Sequence, residues 1–306
     1  MAGPTDVPVR RPAVAGLFYP DDPAQCRATA RAFLDRASHG GTSGSSRCWI
    51  GGIVPHAGWI CSGAIAAQTI AAVARPVPPG QPSAPIDVVV VFGAVHTPLP
   101  LERAVLDSFA SWQLPGDAAH VARELRGRIR QASELFGTDD RFHAREHAVE
   151  VELPLVREAL PQAAVLPVEV PLVEEAPEIG RQTAREVIDA NLRAVFLASS
   201  DLTHYGPAYQ FAPAGVGLHG LSWAAGNDRR LLDLVERFDV ERVVNEVGEH
   251  LNACGGGAIA AMMAACRELG ATEARVLRHA SSYQTLAEVA PQPPDNSVGY
   301  AAVVVG

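Results

Sequence analysis

The sequence predicts an α/β protein built on a mixed, largely parallel β-sheet with helices on both faces. Three observations carry this reading. Short Val-rich runs alternate with helix-length amphipathic stretches along the chain, as repeated β–α units do. The run Asp87 to Phe92 is almost wholly valine, the pattern of a strand covered on both faces of a parallel sheet. Finally, His56, His96 and His204 each stand just beyond a predicted strand. The carboxyl ends of strands are where an open α/β sheet gathers ligands and reacting groups.

The elements follow in order. Gln25 to Ala37 reads as a helix with Ala30, Phe33, Leu34 and Ala37 on one side. The Gly/Ser stretch Gly40 to Ser46 is expected to be a flexible surface connection. Ile50 to Val54 is a short buried strand ending in Pro55-His56. Ser62 is expected to cap a helix over Ala64 to Val73, which the proline-rich loop Arg75 to Pro85 stops. Asp87 to Phe92 and Ala104 to Phe109 read as strands. Asp117 to Gln131 and Glu146 to Leu160 read as helices, the second kinked or broken at Pro154. Strands at Ala163 to Val170 and Ala194 to Ala198 enclose a helix over Ala176 to Ala190. Helices at Leu218 to Phe238 and Cys254 to Leu269 precede closing strands at Ala274 to Arg278 and Val298 to Val305. No internal repeat and no long biased linker interrupts this order. A single domain spanning residues 1–306 is therefore expected, large enough to bury a substantial core.

With 48% hydrophobic and 19% charged residues, the composition fits a soluble globular protein rather than a disordered one. The formal charge of -9 argues against a general binder of nucleic-acid backbone, while leaving room for a small local basic patch. Cys26, Cys48, Cys61, Cys254 and Cys266 are scattered without CxxC spacing, so a disulfide framework is not expected and a reducing cytoplasm fits. The amino terminus, Met-Ala-Gly-Pro-Thr-Asp, has no signal-like architecture. The longest apolar runs, Val88 to Phe92 and Ala301 to Val305, are too short to span a bilayer.

The chemistry is expected around the strand-end histidines. Pro55 and the small residues Ala57-Gly58 present His56 in a tight turn open to close approach. His96 occupies the equivalent place one strand–loop unit later, and two such imidazoles suit iron, copper or zinc better than magnesium or calcium. Asp201 and His204 share the turn Ser-Ser-Asp-Leu-Thr-His-Tyr, where a carboxylate can orient an imidazole and raise its basicity. A helix cap is the alternative role for Asp201. Cys254 precedes three glycines and an apolar helix, a setting that favours thiolate as ligand or nucleophile. The glycines lack the remainder of a phosphate-binding loop. His143 and His147 are four residues apart, but His-Ala-Arg-Glu-His is not the zinc-helix pattern. His147 is read as lining a pocket, and Glu146, Glu150 and Glu152 as a solvated helix face.

These segments resemble the MEMO family, whose bacterial members include AmmeMemoRadiSam system protein B. The likeness is carried by Arg11-Pro-Ala-Val-Ala-Gly-Leu-Phe-Tyr-Pro20, Pro55-His-Ala-Gly-Trp-Ile-Cys-Ser-Gly63, the His96 loop and Glu146-His-Ala-Val-Glu-Val-Glu-Leu-Pro154. It continues through Ser199-Ser-Asp-Leu-Thr-His-Tyr-Gly206, Cys254-Gly and Ser297-Val-Gly-Tyr-Ala-Ala302, covering nearly the whole chain. The resemblance implies a fold similar to class III extradiol dioxygenases and a pocket holding iron or copper through His56, His96 and Cys254. Asp201, His204 and His147 would then be the catalytic, proton-handling residues of that pocket. Two departures bear on the substrate side: Gly93-Ala-Val-His replaces the family's Gly-Pro-Ser/Asn-His, and Ser111-Trp-Gln-Leu-Pro-Gly-Asp117 follows its family pattern only loosely.

Three functions compete at this stage. The first is a non-haem iron- or copper-dependent oxidoreductase, dioxygenase-like. The second is a non-catalytic module binding a peptide or small molecule in the same pocket. The third is a hydrolase with Cys254, His204 and Asp201 as nucleophile, base and orienter. The family name also suggests a radical-enzyme partner, although this chain has no cluster-binding CxxxCxxC motif.

Overall fold

The structure is a computed structural model that describes residues 8–40, 48–75 and 85–306. The amino-terminal hexapeptide, the Gly/Ser connection after Gly40 and most of the Arg75–Pro85 stretch lie outside the described residues.

A nine-stranded mixed sheet forms the centre. Its middle is four parallel strands, in spatial order Gly51–Val54, Ala194–Ser199, Val88–Gly93 and Ala164–Glu169. Ala104–Leu106 is antiparallel to Ala164–Glu169 and is followed by Phe136–Thr138. On the opposite flank Ser297–Val305 runs antiparallel to Gly51–Val54 and pairs with Ala274–Ser281 and His204–Tyr205. The valine run shows why the sheet is central. Val88, Val90 and Phe92 enter one core cluster, while Val89 and Val91 enter the other. Alternate residues of a strand point to opposite faces, so each face must be covered. Ala176–Asp189 and Gly256–Glu268 cover one side; Pro23–Gly40, Trp59–Val73 and Leu153–Ala159 cover the other. Each fully buried valine contributes on the order of 1.5–3 kcal/mol relative to exposure.

Several elements depart from the sequence reading. Asp117 does not start a helix: Asp117–His120 pairs with Ser111–Leu114 as a hairpin, and the helix begins at Arg123. Pro115-Gly116 explains this, because Gly116 has φ +68 and Pro-Gly is suited to a tight turn needing positive φ. A strand at Val9–Arg10 completes that small second sheet. Glu146 to Leu160 is not one helix. A 3₁₀ turn at Glu150–Glu152 leads into Leu153–Ala159, with Pro154 in its first turn, where a missing N–H costs nothing. Ser62 is not a cap: the helix starts at Trp59 after Gly58, and the Ser62 hydroxyl donates to the Ala57 carbonyl at 2.9 Å.

Candidate metal centre

Strand register builds the site. Val54, Ser199, Gly93 and Glu169 are neighbours across the parallel strands, so the chain leaves the sheet at one level on adjacent strands. Just beyond that level lie His56, Asp201 and His96. The helix Gly256–Glu268 enters close by, because a Cβ at Gly257 would stand 2.0 Å from the Pro171 carbonyl oxygen. That tight approach delivers Cys254, two residues before the helix, to the same edge.

His56 is buried, and its surroundings fix its tautomer. The Ser199 hydroxyl spends its hydrogen on the Ala148 carbonyl at 2.6 Å. Toward His56 Nδ1, at 2.9 Å, it must therefore accept, so Nδ1 carries the proton and Nε2 keeps a lone pair. Burial, with His96 and His147 nearby, holds this imidazole well below its ordinary pKa and therefore neutral. The Cys254 Sγ lies 3.3 Å from Nε2.

Glu146 organises the other two imidazoles. Its carboxylate accepts the backbone N–H groups of His96 (2.7 Å), His147 (2.8 Å) and Ala148 (3.1 Å). The same carboxylate meets His96 Nδ1 at 2.9 Å and His147 Nδ1 at 3.2 Å. Burial alone would raise its pKa, but the hydrogen bonds from His147 and His96 outweigh it and keep the group ionised. With both Nδ1 atoms committed, Nε2 is the atom each ring offers to a metal, and a carboxylate behind a ligating histidine raises its basicity.

Donor atoms of His56, His96 and His147 lie within 4.8 Å of one another, the spacing of a group able to hold a metal ion. Ring centroids are 5.1 Å apart for His56–His96, 5.2 Å for His56–His147 and 4.5 Å for His96–His147. His96 and His147 remain partly exposed, so the group is reachable from solvent. Three imidazoles suit iron, copper or zinc and not magnesium or calcium.

The sequence reading grouped His56, His96 and Cys254; the structure adds His147 to the two imidazoles and sets the Cys254 thiol directly beside them. Asp201 does not orient His204, nor does it cap a helix. Its carboxylate accepts the N–H groups of His56, at 2.9 Å, and Ala57. Burial pushes this acid up to about 7 despite those two donors. His204 instead directs Nδ1 at the Leu202 carbonyl, 3.1 Å away, and packs edge-on against Tyr209. Burial lowers its pKa. Cys254 therefore has His56 and His96, not His204, as its imidazole partners, and the nucleophile–base–orienter chain expected of a hydrolase is not assembled. His143, four residues before His147, points elsewhere: its Nε2 donates to the Val105 carbonyl at 3.1 Å inside the core.

Glu146, Glu150 and Glu152 are not a solvated face; all three are buried. Local sequence gave no signal of this. His143, Glu146, His147 and Glu150 fall at i, i+3, i+4 and i+7, which on a helix is one polar face, so their burial has no mark in the spacing. Ser199, which sets the His56 tautomer, gave no signal beyond its place at a strand end.

A model of the Memo-like protein family matches residues 10–304. The chain belongs to the Memo family. It is 30% identical over 304 residues to a MEMO1 family protein of Thermococcus onnurineus, covering 97% of this chain and 99% of that one. A MEMO1 family protein of Methanococcoides burtonii is 32% identical over 305 residues, covering 97% of this chain and all of the other. Among solved structures, an uncharacterized protein from Escherichia coli K12 aligns with a TM-score of 0.46 and 12% identity, over 73% of this chain and 87% of that one. Among the described residues of this Memo family member, no helix is long and apolar enough to cross a membrane.

Proposed function

We propose that the protein is a metal-dependent, dioxygenase-like oxidoreductase whose centre takes iron or copper at His56, His96 and His147. The convergence of these three imidazoles at the carboxyl edge of the parallel strands, two of them seated on Glu146, carries the proposal. A bound iron or copper ion supplies redox and Lewis-acid chemistry at that point. His56 forms the dry wall of the centre, since it is 1% exposed, and its fixed tautomer presents a lone pair. His204, with Nδ1 tied to Leu202 and its pKa lowered, is neutral near pH 7 and offers Nε2 as a proton acceptor. Asp201, at about 7, holds or releases a proton beside the His56 backbone, and its own N–H donates to Cys254 Sγ at 3.3 Å. Cys254 is placed to add a thiolate to the imidazoles.

The test is anaerobic purification from metal-replete medium, with iron and copper measured in wild type and His56→Ala, followed by oxygen uptake on aromatic substrates. One equivalent of metal in wild type, lost in the variant, supports the reading. Negligible metal in both removes it.

A second reading, capture of a peptide or small molecule without turnover, is favoured by an apolar side chain exposed next to the centre. Leu17 is 81% exposed, and its neighbour Phe18 lies edge-on to His147. Tight ligand capture with no oxygen uptake by the metal-loaded protein would select it.

A further inference from the structure

A second cavity, of about 560 Å³, opens away from the histidine centre, between helices Pro23–Gly40 and Trp59–Val73 and strand Ala274–Ser281. Its volume falls in the range of small-molecule sites. Arg36, Arg75, Arg275 and Arg278 reach it from these elements and from the residues just after the second helix, with Gln68 and Phe33 between them.

These arginines belong to a chain with a single kind of permanent cation. It contains no lysine, so all 25 of its basic residues are arginine. Elsewhere guanidiniums are commonly locked by carboxylates, as Arg181 is by Glu178, Arg229 by Asp233 and Arg267 by Glu241. Among the described residues around the cavity, only Arg275 has an ion-pair partner, Glu273, at a loose 3.8 Å. Two of the guanidiniums lie on aromatic rings instead: Arg36 is 5.2 Å from the Phe33 ring and Arg275 is 5.5 Å from the Trp49 ring. Stacking orients a guanidinium without neutralising its charge, and the Arg36 Nε also donates to the Ala32 carbonyl at 3.1 Å. Among the described residues, Arg36, Arg75 and Arg278 form no ion pair with a carboxylate. Residues 41–47 and 76–84, which follow the two helices in the chain, contain no Asp or Glu that could supply one.

Four like charges around one concavity repel each other and focus a positive potential inside it, in a protein whose formal charge is -9. A multiply charged anion relieves that repulsion, and guanidinium forks match phosphate oxygens in bidentate geometry. Alanines of the Trp59–Val73 helix, with Phe33, line the rest of the cavity and suit an apolar or aromatic body. We propose that this cavity is a binding site for a small phosphorylated molecule carrying an apolar or aromatic group, separate from the histidine centre.

The test is calorimetric titration of the chelator-treated full chain with ATP, pyrophosphate, citrate and adenosine. ATP and pyrophosphate should bind, more weakly as salt rises, and adenosine should not. Arg275→Gln/Arg278→Gln should weaken ATP at least tenfold with its circular dichroism and melting unchanged, since both side chains are exposed. His56→Ala should bind ATP as wild type does. No binding of either phosphate at millimolar concentration overturns the proposal. So does binding indifferent to the arginine pair, or binding abolished by His56→Ala. Citrate binding more tightly than both phosphates overturns the assignment to phosphate.

Discussion

Glu146 and Glu150 stand four residues apart in one buried segment, yet they are opposite kinds of carboxylate. Glu150 is completely spent inside the protein. It pairs with the Arg10 guanidinium and accepts from the amides of Ala13 and Val14 and from the Tyr19 hydroxyl. Arg10 in turn donates to the carbonyls of His143 and Glu146 and lies 4.3 Å from the Trp112 ring. The constellation fastens the chain from Arg10 to Tyr19 against the 143–150 segment and leaves nothing pointing at solvent. Glu146 is equally buried, but its partners are rings with one nitrogen left over. A charge satisfied on all sides is structural; a charge whose partners keep open valences prepares a site.

Removing each carboxylate should separate these two roles. The largest effect is expected from Glu150→Ala, which strands Arg10 as an uncompensated buried charge. Breaking such a pair costs about 3–5 kcal/mol, to be read as a lower midpoint in urea unfolding of the metal-free protein. A loss under about 1 kcal/mol would mean the Arg10 contacts are as dispensable as surface ion pairs. Glu146→Gln should act mainly on the centre. The amide keeps one oxygen for the His147 and Ala148 N–H groups, but its NH2 then faces the His96 N–H, and it no longer holds two Nδ1–H groups electrostatically. Metal affinity should fall about 10–100-fold, the usual range for a partner behind a ligand, with a smaller change in unfolding midpoint than Glu150→Ala produces. Competition against a chelating dye gives the affinity. Unchanged affinity would show that Glu146 is another structural acid.

The same contrast explains what could be read from the sequence. The α/β architecture and the parallel strands were legible because Val88 to Val91 feed both cores alternately, a pattern local to the run. His56 and His96 were legible for the same reason: each directly follows a strand. His147 was read as a pocket residue but not as a third imidazole of the metal group, because it reaches the centre from an irregular segment whose path depends on Arg10 and Tyr19, more than a hundred residues earlier in the chain. The three glutamates were misread because adjacent acids suggest solvent unless their distant partners are known. Neither the Asp201 contact with the His56 amide nor the Ser199 hydroxyl that sets the His56 tautomer has a sequence pattern, since both are created by strand register.

The finest discrimination concerns whether Cys254 joins the imidazoles, and metal affinity measured against pH can make it. Burial pulls the His96 pKa down, but hydrogen bonds to Cys254 and Glu146 outweigh it and push the ring up to about 10. In the metal-free protein His96 is therefore protonated at neutral pH, whereas His56 is not. A metal takes only the neutral ring, so binding must release the His96 proton. Affinity should then rise with pH by about tenfold per unit from roughly pH 7 to 9, and level off as pH passes the His96 pKa. A sulfur ligand would add its own bond to the ion on top of this pH dependence. Cys254→Ser separates the cases. If the imidazoles alone hold the ion, the slope stays near tenfold and only its upper limit moves down, because one bond sustaining the His96 proton is weakened. If the sulfur is a ligand, the affinity falls at every pH, including above the His96 pKa where no proton is left to displace. An affinity independent of pH in both proteins would mean that His96 carries no proton to displace, and that Glu146 alone does not hold one there.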